Sequence, residues 1–185
     1  MGGALLTGWL KNGVPGSSVI VVDPNPSDAM RKMIADAGAS HVIEVPKGVT
    51  AGVLFIAVKP QLMDAVLPPF KPLVGQATVV VSIAAGKTLS ALEAHLGEAA
   101  MVRAMPNTPA MVGRGVTGAF ANARVSDRQR QLVQNLLKVS GPVEWVPGEA
   151  DIDSVTAVSG SGPAYVFYLG GPRHAARTGN RRGGW

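Results

Sequence analysis

Two stretches of the chain, VLFIAV (53–58) and ATVVVSIAAG (77–86), are apolar at almost every position and end in small or turn-forming residues. A strand with one wet face alternates apolar and polar residues, whereas a strand apolar throughout must be covered on both faces. Around these runs lie segments with helical spacing. SDAMRKMIADAG (27–38) places Met30, Met33, Ile34 and Ala37 on one side and stops at Gly38. TLSALEAHLG (88–97) is a second such helix, and QLMDAVLPPF (61–70) is helix-like. SDRQRQLVQNLLKVSG (126–141) opens with Ser126 and Gln129 in capping-box register and carries Leu132, Val133, Leu136 and Leu137 on one side. GGALLTGWLKNG (2–13) reads as a helix opened by two glycines and closed by Asn12-Gly13. SVIVVD (18–23), HVIEV (41–45), MVRAMP (101–106), VTGAFA (116–121) and PVEWV (142–146) complete the set of predicted strands. Strands alternating with helices in this way predict an α/β fold, a doubly wound parallel sheet of Rossmann type.

Composition narrows the function classes. In 185 residues, 46% are apolar and 16% charged, enough for a sizeable core. There is no cysteine, so thiolate chemistry and disulfides are excluded. Apolar runs fall far short of the roughly 20 residues of a membrane span, and a cytoplasmic protein is the expectation. The net charge of +5 suggests nucleic acid at first sight, but Arg173, Arg177, Arg181 and Arg182 account for all but one unit of it. No nucleic-acid or membrane partner is expected.

Chemistry concentrates at the strand ends. In a doubly wound sheet, ligands lie outside the carboxyl ends of the strands, and a pyrophosphate sits on the N-terminus of the first helix. Gly2 and Gly3 open that helix, and Asp23 follows the next strand at the distance where a carboxylate meets the adenosine ribose. A glycine-started helix and a turn aspartate explain the same residues without a ligand. AVKP (57–60), SIAAG (82–86) and RAMPNTP (103–109) supply small or special residues at three further strand ends. Small residues there let a flat ring and its ribose approach the backbone. Lys59 offers a cation, or is a solvated loop lysine. Asn107 and Thr108, held between prolines, form a rigid polar knuckle that turn chemistry alone also accounts for. His41 begins a strand, His95 lies near a helix end, and His174 falls in the basic tail. No metal site is expected.

Four segments carry a resemblance. VLFIAVKPQ (53–61), VVVSIAAGKTLSAL (79–92), VRAMPNTPAMVGRGVTGAF (102–120) and AVSGSGPAYVF (157–167), in order and spacing, resemble the pyrroline-5-carboxylate reductase family across about residues 1–168. The resemblance implies NAD(P)H-dependent reduction of Δ1-pyrroline-5-carboxylate to L-proline, the last step of proline biosynthesis. It implies that Gly2 and Gly3 hold the pyrophosphate and Asp23 the adenosine ribose. Ala57, Val58, Lys59 and Pro60, with Ile83, Ala84 and Ala85, would hold the nicotinamide half. Asn107, Ser159 and Ser161 would face the substrate. NADP(H) is the coenzyme the family favours, although a carboxylate at Asp23 suits the free 2′-hydroxyl of NAD(H).

The same resemblance divides the chain into a dinucleotide-binding domain over 1–150, the start of a helical dimerisation domain over 151–169, and a Gly/Arg-rich tail over 170–185. Met1-Gly2-Gly3 matches only the end of the family's glycine turn, so the sheet is expected to lack its first strand. Residues 170–185 hold glycines and a proline where a helix should continue, and a shifted reading frame or a misassembled end is the expected cause. The family is homo-oligomeric, and a chain without its dimerisation domain is expected to be weakly active or inactive. The alternatives are a non-catalytic dinucleotide-binding remnant and a related imine or β-hydroxyacid reductase.

Overall fold

The structure is a computed structural model that describes residues 1–160 and 162. Helix α1 (Gly2–Lys11) has no side-chain cap and is held by packing instead. Leu5 and Leu6 are buried, at roughly 1.5–3 kcal/mol each. The Trp9 indole N–H donates to the Leu136 carbonyl at 2.7 Å, and its ring meets Phe55 edge-on at 4.9 Å. Strand β1 (Ile20–Val22), helix α2 (Asp28–Asp36) and strand β2 (Ser40–Val42) follow. Ser27 caps α2 by accepting from the Met30 N–H at 3.3 Å. β1 and β2 pair in parallel.

Next come β3 (Val53–Ile56), α3 (Met63–Val66), β4 (Val79–Ser82), α4 (Leu89–Leu96) and β5 (Ala100–Pro106). These three strands are parallel. The helix anticipated over 61–70 shrinks to the single turn α3 between two 3-10 segments, Pro60–Leu62 and Pro68–Leu73. Pro68, Pro69 and Pro72 carry no N–H and clash with a continuing α-helical turn. β6 (Thr117–Ala121), α5 (Asp127–Leu137), β7 (Val143–Trp145) and α6 (Asp151–Val155) complete the order, and a π-helical turn, Thr156–Gly160, continues from α6. The capping box of Ser126 and Gln129 forms as the spacing predicts.

The sheets depart from the expectation in one respect. β6 runs antiparallel to β5, while β7 is parallel to β6. The connection from β5 to β6, residues 107–116, is too short for a parallel crossover, which takes about a dozen residues or more. The result is a parallel-dominated five-stranded sheet, β3-β4-β5-β6-β7, beside the separate pair β1-β2. β1 is an edge of the pair and β3 an edge of the larger sheet. One face of the larger sheet buries Leu54, Ile56, Val80 and Met101 against Met63, Leu67 and the α4 leucines. The other buries Val79, Val81, Val102 and Ala119 against Val133 and Leu137 of α5. Helices on both faces explain why β4 is buried at every position.

Across the surface of α3 and α4, Asp64 accepts from His95 Nε2 at 3.0 Å and pairs with Lys87 Nζ at 3.3 Å. The hydrogen bond from His95, then that from Lys87, holds the Asp64 carboxyl below its ordinary value. The unfolded chain therefore takes up this proton first as pH falls. The stabilisation is complete above about pH 4 and disappears as pH drops through the lowered value. Asp64→Asn is expected to melt slightly below the parent at pH 6, with the difference shrinking as pH falls below about 4 in paired thermal melts.

Candidate functional site

Because β3, β4 and β5 are parallel, their carboxyl ends open on one edge of the sheet. Ala57, Val58, Lys59 and Pro60 leave the end of β3, with Ala57 and Lys59 exposed. Lys59 makes no ion pair among the described residues. Ile83, Ala84 and Ala85 leave the end of β4. The Ile83 N–H donates to the Ile56 carbonyl at 3.1 Å, which ties the two strand ends to each other, and the Ala84 N–H donates to Ser82 Oγ at 3.3 Å within the β4 end. Ala84 is buried and Ala85 exposed.

The N-terminus of α1 joins them. A methyl group on Gly2 would come within 2.7 Å of the Ala57 Cβ, so this close approach requires glycine. Gly3 lies against the Met30 side chain of α2. Gly2, Ala57 and the β4 end thus form one open cradle of small residues, with free helix N–H groups above it.

Asp23 stands at the end of β1. Its N–H donates to the Val42 carbonyl at 3.2 Å, and its Oδ1 accepts from the Asn25 N–H at 2.9 Å in an Asx turn. The His41 ring donates through Nε2 to the Asp23 carbonyl at 2.8 Å, since a carbonyl only accepts. This is the turn chemistry foreseen for Asp23, and it occupies one carboxylate oxygen.

On the far side of the edge, Asn107 follows β5. Its Oδ1 accepts from the Val116 N–H at 3.0 Å, and its Nδ2 donates to Ser159 Oγ at 3.1 Å. Both amide atoms are therefore engaged within the protein. Ser159 is the acceptor here, and its own hydroxyl proton has no partner among the described residues. Ser159 also lines a cavity of about 390 Å³ with Val116, Val146, Val155 and Val158. Thr108 is exposed. Ser161, the remaining residue expected to face the substrate, lies outside the described residues, as do 163–169 of the 151–169 segment and all of the 170–185 tail.

Sequence reasoning missed Arg103. The side chain is 2% exposed, on β5, with Nη2 2.5 Å from Asp153 Oδ1 and Nη1 3.4 Å from Glu149 Oε1. Glu149 Oε1 also accepts from the Leu89 N–H at the start of α4, at 2.7 Å. The available signal was an arginine inside the otherwise apolar strand AMVRAMP.

Helices on both faces of a parallel-dominated sheet, with a glycine-opened helix at its carboxyl edge, define a protein of the Rossmann-type dinucleotide-fold class. A family model described as NADP oxidoreductase coenzyme F420-dependent matches residues 1–86. Pyrroline-5-carboxylate reductase of Pseudomonas aeruginosa is 42% identical over 172 residues, 91% of this chain and 62% of that protein. The structure of the Coxiella burnetii pyrroline-5-carboxylate reductase superposes with a TM-score of 0.83 at 32% identity, covering 95% of this chain and 66% of its own. That of Plasmodium falciparum pyrroline carboxylate reductase with NADP bound gives 0.79 at 26%, covering 100% and 67%. The chain belongs to the pyrroline-5-carboxylate reductase family. It spans about 62% of the length of that first relative.

Proposed function

We propose that this chain is the nucleotide-binding part of a reductase acting on Δ1-pyrroline-5-carboxylate to give L-proline, with residues 1–150 as the nucleotide domain. The observation that carries the reading is the cradle of Gly2, Ala57, Ile83, Ala84 and Ala85 on the same sheet edge as the Asn107–Ser159 pair. The coenzyme, when bound, supplies hydride to the imine carbon, and a proton completes the ring nitrogen. The protein's own work is positioning. Gly2 and Gly3 admit the pyrophosphate to the α1 N-terminus, where the free N–H groups and the helix dipole favour negative charge. Val58, Lys59 and Pro60 hold the ribose on the nicotinamide side, and Ala85 leaves room for a flat ring. Ser159 turns its free hydroxyl proton toward the substrate's polar groups. Holding two planar partners in register is an entropy effect, and such effects reach roughly 7–11 kcal/mol in favourable cases.

NADP(H) is the coenzyme proposed, supported by the NADP-bound relative, with NAD(H) as the competitor. The second carboxylate oxygen of Asp23 suits a 2′-hydroxyl and repels a 2′-phosphate. Asp23→Ser is therefore expected to improve NADPH affinity over NADH by about tenfold relative to the parent, roughly 1.4 kcal/mol, measured by calorimetric titration. An unchanged ratio removes Asp23 from coenzyme selection. Titration also tests the function. Binding of either reduced coenzyme together with turnover of the imine supports the reductase. Binding without turnover identifies a dinucleotide-binding remnant, and absence of binding overturns both.

A further inference from the structure

We infer that Arg103 is a positioning residue, the anchor of a two-point clamp by which β5 holds the α6 segment and its π-helical turn in register with the sheet edge. The inference rests on the proposed substrate-side role of Ser159. Two side chains of one rigid chain segment, Arg103 and Asn107, reach two points of another, Asp153 and Ser159. Between the two attachments the segment packs apolar groups on the sheet. Ile152 is buried, Val155 lies over Gly118, and Gly160 lies against the end of Met105. Apolar packing is non-directional and tolerates sliding. The charged and hydrogen-bonded ends do not, because each fixes a particular pair of atoms.

A buried guanidinium is a costly way to hold a helix. Arg103 gives up its hydration, and its Nε has no partner among the described residues. An apolar side chain of similar volume would fill the same space with less penalty, so the cation is not there for stability alone. What it adds is geometry. One planar fork reaches Asp153 at the start of the segment and Glu149 beside the first turn of α4. Glu149 is thereby shared between Arg103 and the Leu89 N–H, and the segment is indexed both to the sheet and to the helix that follows the Ile83–Ala85 strand end. Lysine, with one point charge, cannot span both carboxylates in this way. Ser159 then reaches Asn107 at a fixed height above the edge.

The test is Asp153→Ala in the full chain. Asp153 is 65% exposed, so its removal leaves Arg103 paired with Glu149 and the fold intact. Asp36→Ala, which breaks the surface pair with Lys32, serves as the control. Hydrogen–deuterium exchange of the amides over 154–160 is expected to quicken by about tenfold in Asp153→Ala alone, with β4 and β5 still protected. Arg103→Lys is expected to reproduce that pattern. Equal exchange over 154–160 in parent and variant overturns the clamp, as does protection lost equally throughout the sheet. In turnover assays, the variant is expected to raise KM for the imine about tenfold with coenzyme affinity unchanged. Equal loss of both affinities overturns the positioning role. If the parent itself turns over no imine, the reductase reading fails, and the exchange result decides the clamp independently.

Discussion

Asn107→Ala is expected to lower kcat/KM for the imine by about 100-fold while leaving coenzyme affinity within about a factor of two. The substitution removes two bonds at once, from the Val116 N–H and to Ser159 Oγ. The Asn107 backbone N–H still donates to the Val116 carbonyl at 3.2 Å, so the end of β5 keeps one tie to the start of β6. Leaving the Val116 donor without its side-chain partner costs about 1–3 kcal/mol, a loss that denaturant titration will read. Asn107→Asp separates the two roles. The carboxylate still accepts from Val116, but its other oxygen cannot donate to Ser159 and instead takes the serine's proton. Near-parental stability with strongly reduced turnover is the expected result. Near-parental turnover in Asn107→Asp removes the outward-donating hydroxyl from the mechanism.

Gly141→Ala carries the largest expected effect on stability, about 4 kcal/mol, from backbone strain and overpacking together. Gly141 has φ +131° and lies against the Gly115 backbone, where an added Cβ would overlap the carbonyl oxygen and sit 2.7 Å from its carbon. Neither side can move freely, because the Gly115 N–H donates to the Ser140 carbonyl and the Thr117 N–H to the Pro142 carbonyl, both at 2.9 Å. That seam aligns β6 with β7. Such a loss is comparable with the roughly 5–15 kcal/mol margin of an ordinary domain, and the variant is expected to unfold at a much lower denaturant concentration. Gly38→Ala provides the contrast. Its φ is +66° but nothing lies within 4 Å, so only the strain of roughly 1–2 kcal/mol is expected. Equal midpoints for the two variants would mean that the Gly115 contact does not bear on stability.

Much of the fold is legible in the chain because its signals are local. The capping box at Ser126, the stop at Gly38 and the unbroken apolar runs of β3 and β4 depend on residues close in sequence. Each forms where it was expected. The departure over 61–70 is also local: the helical spacing there is cut by Pro68 and Pro69, which interrupt an α-helix. The strand-end residues Ala57–Pro60 and Ile83–Ala85 were readable for the same reason, since small residues closing an apolar run are visible without knowing what they face.

The sequence by itself determined most of the strands and helices, 61–70 excepted, that the sheet must be covered on both faces, and which end of it carries the small residues. Only the tertiary structure decided how distant groups meet. It reversed β6 against β5, set Gly2 on Ala57, turned both atoms of the Asn107 amide inward, and buried Arg103 between Glu149 and Asp153. The physical reason is range. Propensity and hydrophobic period act over a few residues, whereas a hydrogen bond or ion pair between residues some fifty positions apart exists only after the chain has closed on itself.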